Sequence, residues 1–125
     1  SADGALRVGL GLRSIDGAQL SNARLLVDAG RGVSRHDIQL GPSDGSVAWS
    51  SLRLSGVEPW WPHTHGTPRC YDAAIEVDVD GATQRIAIGP IGFRDLELEQ
   101  GDGAFQLRVN GTRIFARGAC WTPLD

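Results

Sequence analysis

The segment Glu58-Pro59-Trp60-Trp61-Pro62-His63-Thr64-His65-Gly66 gathers the residue types that could do chemistry in this 125-residue chain. Two adjacent indoles could form a platform on which the apolar face of a pyranose stacks. The flanking prolines give a plainer alternative, in which they hold the backbone extended and one tryptophan plugs the end of a hydrophobic core. Neighbouring side chains of an extended segment point opposite ways, so at most one of Trp60 and Trp61 enters this core. The other faces outward or meets a neighbouring domain. His63, His65 and Cys70 have the donor atoms for zinc, but a structural zinc site wants four ligands and no second Cys/His pair lies nearby. They read as solvated loop side chains, and neither metal nor cofactor is expected.

Asn110-Gly111-Thr112 matches the N-glycosylation pattern, yet Asn-Gly between two apolar runs is explained more simply as a hairpin turn. The chain has four glutamates, Glu58, Glu76, Glu97 and Glu99. The last three fall at outward strand positions among other charges, which reads as a solvated sheet face. A general acid needs a buried setting to raise its pKa, so no catalytic pair is nominated. Cys70 and Cys120 stand apart without a CxxC pair and read as unpaired thiols.

The elements that position these residues are strands, because apolar side chains recur with a period of two. Leu6, Val8, Leu10 and Leu12 alternate with Arg7, Gly9, Gly11 and Arg13. Tyr71, Ala73, Ile75, Val77 and Val79 form the clearest strand, ending at an Asp80-Gly81 turn. The return strand is expected to carry Ile86 and Ile88 inward. Leu96 and Leu98 follow between acidic residues. Then Phe105, Leu107 and Val109 run into the Asn110-Gly111 turn and back through Thr112, Ile114 and Ala116. Weaker strands are expected over 23–28, 33–40 and 46–54. No stretch of ten residues carries helical apolar spacing. About seven short strands split by Gly, Pro, Asp and Ser clusters predict an all-β fold: an immunoglobulin-like antiparallel β-sandwich followed by a β-hairpin. A small barrel is the competing architecture.

Composition narrows the function classes. A hydrophobic content of 41% is enough for a core, while a net charge of −3 with scattered basic residues builds no stripe for nucleic-acid phosphates. No apolar run approaches the roughly 20 residues that span a bilayer. Residues 1–15 lack the pattern of a secretion signal, and the compartment stays open. Trp121 and Pro123 stand beside the terminus at Asp125, where frayed polar residues are commoner, and this predicts a truncated piece of a longer polypeptide.

The order of these motifs resembles glycoside hydrolase family 2, most closely its β-mannosidase branch. The matching residues are Trp60-Trp61-Pro62, Gly66, Pro68 and Tyr71, then Gly92-Phe93-Arg94, then Val109-Asn110-Gly111. Phe115, Gly118, Ala119, Trp121 and Pro123 complete the series. The resemblance spans roughly residues 57–125, and residues 1–56 match only in strand character. It implies an immunoglobulin-like domain over 1–98 and, over 99–125, a hairpin leading into an absent catalytic barrel. The parent would be a retaining exo-glycosidase of carbohydrate metabolism, with two barrel glutamates about 5 Å apart beyond Asp125. The chain itself would be non-catalytic. Its partners would be the rest of the parent polypeptide, namely the barrel and an N-terminal sugar-binding domain, with an oligosaccharide substrate in the whole enzyme. Trp60 and Trp61 are the expected domain-interface residues, and Trp121 the expected substrate-binding one. Cys120 stands where the family usually has asparagine, and Thr122 where it has isoleucine. The alternative is a stand-alone carbohydrate-binding or adhesion-type module in which the Trp pair contacts ligand directly.

Overall fold

The computed structural model describes residues 2–101 and 103–118. They form nine strands and, among the described residues, no helix. In chain order these are β1 (Ala2–Arg13), β2 (Leu20–Asp28), β3 (Val33–Ile38), β4 (Asp44–Val57) and β5 (Tyr71–Val79). After them come β6 (Ala82–Ile91), β7 (Leu96–Gly101), β8 (Ala104–Val109) and β9 (Thr112–Ile114). The strands pair as β1-β4, as β3-β2-β5-β6 and as β7-β8-β9, and every pairing is antiparallel.

The first two sheets pack face to face. Leu10, Leu54 and Val57 of β1 and β4 share one core cluster with Ala23, Leu25, Val27, Ile38, Tyr71, Ile75 and Val77 of the four-stranded sheet. A β1-β4 pair facing a β3-β2-β5-β6 sheet reproduces the B-E and C′-C-F-G strand orders of the immunoglobulin-like sandwich. Local chemistry fixes the tight turns. Asp80 and Gly81 (φ 49° and 79°) and Asn110 and Gly111 (φ 50° and 76°) are all left-handed, as a two-residue hairpin matching strand twist requires. Ser50 of β4, the only buried polar residue among the described residues, is satisfied because its Oγ accepts the Gln39 amide at 2.7 Å.

Along β5, Tyr71, Ala73, Ile75 and Val77 are buried as expected, but Ala74 on the opposite face is buried too, paired with buried Leu26, and Val79 is only half-buried. The return strand departs from expectation. Ile86 and Ile88 are 48% and 49% exposed. A bulge opposite Ala73/Ala74 makes Ile88 the extra residue, because Ala87 pairs with Ala74 and Gly89 with Ala73. Ile86 does stand opposite the core residue Ile75, but β6 is an outer strand and the two-stranded sheet does not reach over it.

The outer face of the four-stranded sheet also corrects one expectation. Glu76 is not simply solvated. Register places Asp37, Arg24, Glu76 and Arg85 side by side across all four strands, a row of alternating charge. Arg24 Nη2 donates to both carboxylate oxygens of Asp78 at 2.9 and 3.0 Å, and its Nε lies 3.9 Å from Glu76. The Thr83 hydroxyl also donates to Asp78, and with Asn22 and Arg24 it holds the Asp78 carboxyl below its ordinary value. The folded state therefore favours charged Asp78. That stability is present above the unfolded carboxylate range, about pH 3.9, and fades as pH falls through the lower folded value. Asp78→Asn should be less stable than wild type at neutral pH. Thermal melts from pH 7 to pH 2 should show the gap closing below about pH 4.

Candidate functional site

Residues from three of the stretches that carry the family resemblance, 58–71, 92–94 and 109–111, meet at one end of the sandwich. Tyr71 opens β5 with its ring in the core, and its hydroxyl accepts the Glu58 amide at 2.7 Å. A tyrosine that starts this strand and ties the preceding loop by its hydroxyl is the tyrosine corner of immunoglobulin-like sandwiches. Phe93, just past β6, sets its ring edge-on to Tyr71, with centroids 5.8 Å apart and planes at 69°. Gly4 of β1 lies against the same ring. A Cβ there would come within 2.5 Å of Phe93 and 2.8 Å of Val57, so a side chain is excluded by close packing.

Trp60 is held on three sides. Its amide donates to the Phe93 carbonyl at 2.7 Å, and its carbonyl accepts Asn110 Nδ2 at 3.0 Å. The Arg94 guanidinium lies over its ring, 5.0 Å from the centroid. Gly92 makes room, since a Cβ on it would approach Trp60 to 3.1 Å. In Gly92-Phe93-Arg94 the glycine admits the indole, the phenylalanine meets the tyrosine corner and the arginine stacks on the indole. Asn110 also clamps the start of β7, with Asp95 N donating to its Oδ1 and its own amide donating to Asp95 O, both at 2.9 Å. Its Nδ2 is thus engaged with Trp60, which favours the turn over the glycosylation reading of Asn110-Gly111-Thr112.

Neither tryptophan of the pair enters the core; both are half-buried. The loop is not extended through Trp61, because His65 N and Gly66 N both return to the Pro62 carbonyl. Trp61 instead packs on Gly66, where a Cβ would come within 2.9 Å of it. His63, His65 and Cys70 are exposed, and no group of three potential metal ligands forms among the described residues. Glu58, Glu97 and Glu99 are exposed as well. Cys120, Trp121 and Thr122 lie outside the described residues.

Around the joint, Asp3–Leu6, Val57, Pro59, Gly92–Asp95 and Asn110 line an open cleft of about 390 Å³. Its ionisable residues are Asp3, Arg94 and Asp95, with Asp3 and Asp95 both exposed. The three-stranded sheet beyond the joint begins at Leu96. It is strongly two-faced. Register puts Leu96, Leu98, Phe105, Leu107, Val109 and Ile114 on one face and Glu97, Glu99, Arg108 and Arg113 on the other. Only Val109 of the apolar row is fully buried, while Phe105 is 73% exposed.

Fold and joint together define an immunoglobulin-like β-sandwich carrying a three-stranded appendage on a packed aromatic hinge. No family model matches the chain. In sequence the chain is β-mannosidase-like. It is 39% identical to "Beta-mannosidase B" of Aspergillus terreus over 88 residues, which cover 67% of this chain and 10% of that protein. It is 35% identical to "Beta-mannosidase" of Capra hircus over 75 residues, 55% of this chain and 8% of the goat protein. With "Beta-mannosidase B" of Aspergillus clavatus it shares 30% identity over 102 residues, 74% of this chain and 12% of that protein. The chain therefore spans about a tenth of the length of the curated relatives it matches.

Proposed function

We propose that this chain is a non-catalytic sandwich segment of a glycoside hydrolase family 2 exo-glycosidase of β-mannosidase type, whose role is to hold and orient a catalytic barrel. The observation that carries this reading is the joint. Residues scattered from Gly4 to Asn110 converge there on packing and backbone hydrogen bonds, and the carboxylates that line the adjoining cleft, Asp3 and Asp95, are exposed where general-acid work needs burial. The uncovered apolar face of β7-β8-β9 supports it, since a sheet with one greasy side is stable in water only when something covers that side. In this reading Trp60 and Trp61 belong to the interface with the rest of the parent polypeptide, and Trp121 lies near its sugar. The stand-alone sugar-binding alternative is disfavoured at Trp60 because Arg94 already occupies one face of the indole.

A direct assay tests this. The purified chain, incubated with an aryl β-mannoside, should release no more aryl alcohol than buffer. Its tryptophan fluorescence should not saturate with mannose or mannobiose up to tens of millimolar. Turnover, or saturable quenching lost in Trp60→Ala or Trp61→Ala, would end the proposal.

A further inference from the structure

The outer faces of the two sheets handle charge differently. On the four-stranded sheet, register sets Asp37, Arg24, Glu76 and Arg85 in alternation, so each arginine of that row has an acidic neighbour. The outer face of β1-β4 has no such compensation. β1 turns Ala5, Arg7, Gly9 and Gly11 outward, and β4 sets Arg53, Ser51, Trp49 and Val47 directly opposite them. No acidic residue occurs in 5–11 or 47–53, although the chain carries a net charge of −3. Arg7 and Arg53 are exposed, and neither is ion-paired among the described residues.

Trp49 fixes one of these arginines. Its indole lies against Gly9, where a Cβ would come within 2.8 Å of the ring. The Arg7 guanidinium sits over the same ring, 4.4 Å from the centroid. A stack of this kind holds a guanidinium by its face and leaves its N–H edges free to donate. Beside it, Ala5–Arg7 and Ser51–Arg53 line an open hollow of about 390 Å³. Ser51 stands opposite Arg7 and Arg53 opposite Ala5, so the two arginines are diagonal neighbours on one face. Like charges at that spacing repel, and an anion between them removes the repulsion.

We propose that this hollow is an oxyanion site. Arg7 and Arg53 donate to a carboxylate, sulfate or phosphate group, Ser51 adds a hydroxyl, and Trp49 holds Arg7 in place. Arginine suits the role because its planar fork matches two oxygens at once. The hollow is roomier than a bare ion needs, and Trp49 and Val47, 52% and 53% exposed, extend the face with apolar surface. Both features favour an anionic group carried on a larger body, such as a sugar acid. The inference does not depend on what the parent hydrolyses.

Nuclear magnetic resonance titration of the isotope-labelled chain tests it, at constant ionic strength so that screening does not change. The probes are glucuronate, sulfate and phosphate, with glucose as the neutral control. The amide signals of Arg7, Ser51 and Arg53 and the Trp49 indole N–H should shift saturably with an oxyanion and stay still with glucose. Arg7→Gln and Arg53→Gln should each weaken binding about tenfold or more, while Arg35→Gln on the other sheet leaves it unchanged. Shifts that never saturate, or that survive in both variants, would mean an adventitious ion only and would overturn the proposal. Tighter binding of glucuronate would identify a sugar acid, and tighter binding of sulfate or phosphate an inorganic oxyanion; either order supports the site. The full-length polypeptide should bind with the same affinity. Loss of binding there would mean that an acidic segment of the parent already occupies the two arginines, and would overturn the proposal as well.

Discussion

Tyr71→Ala is expected to destabilise this domain by about 3–5 kcal/mol, enough to consume much of a small domain's stability. The ring is 3% exposed, so its removal leaves a cavity in the core cluster. It also deprives Phe93 of its edge-on partner and frees the Glu58 amide. Tyr71→Phe separates these contributions. It keeps the ring and removes only the acceptor, at a cost of about 1 kcal/mol, because a loop amide can turn to water instead. Urea denaturation should place the Tyr71→Phe midpoint between wild type and Tyr71→Ala, with unchanged slope. Equal midpoints for the two variants would mean that the hydroxyl, and not the packing, anchors the corner.

Asn110→Ala should have the second largest effect, about 1–3 kcal/mol, concentrated in the appendage. The substitution removes the side-chain bonds to Trp60 O and Asp95 N, and it leaves alanine at φ 50°, a conformation that suits Asn or Gly. Asn110→Gly relieves the backbone strain but not the lost bonds, so it should fall between alanine and wild type. Amide exchange distinguishes local from global loosening. Amides of β7, β8 and β9 should exchange faster, while those of β2 and β5 keep wild-type protection. Uniform acceleration would show that the appendage and the sandwich unfold as one unit.

Much of the fold was legible because its signals are local. The core-facing row of β5 and the Asp80-Gly81 and Asn110-Gly111 turns depend on a few neighbouring residues, and each formed as its chemistry dictates. Gly89-Pro90 within the return strand was an available sign of a bulge, and it explains why strict alternation through Ile86 and Ile88 failed. The reading in which one member of the Trp pair plugs the core did not materialise, for a different reason. It assumed an extended loop, whereas Pro62 starts a turn that places both indoles at the joint. The sequence marked Trp60, Tyr71, Phe93 and Asn110 as separate motifs, with nothing to say that they touch. Gly4, which packs on Phe93, drew no attention at all.

The amino-acid sequence by itself determined the all-β class, the tight hairpin turns and the kinship with β-mannosidases. Each is written in short-range pattern or in ordered motifs. Only the tertiary structure decided which strands became neighbours, which faces were covered, and that Asn110 reaches Trp60 across fifty positions. Side-chain period tells a strand that it has a greasy side. What lies against that side depends on closing long loops around a shared core, and that is a property of the whole chain.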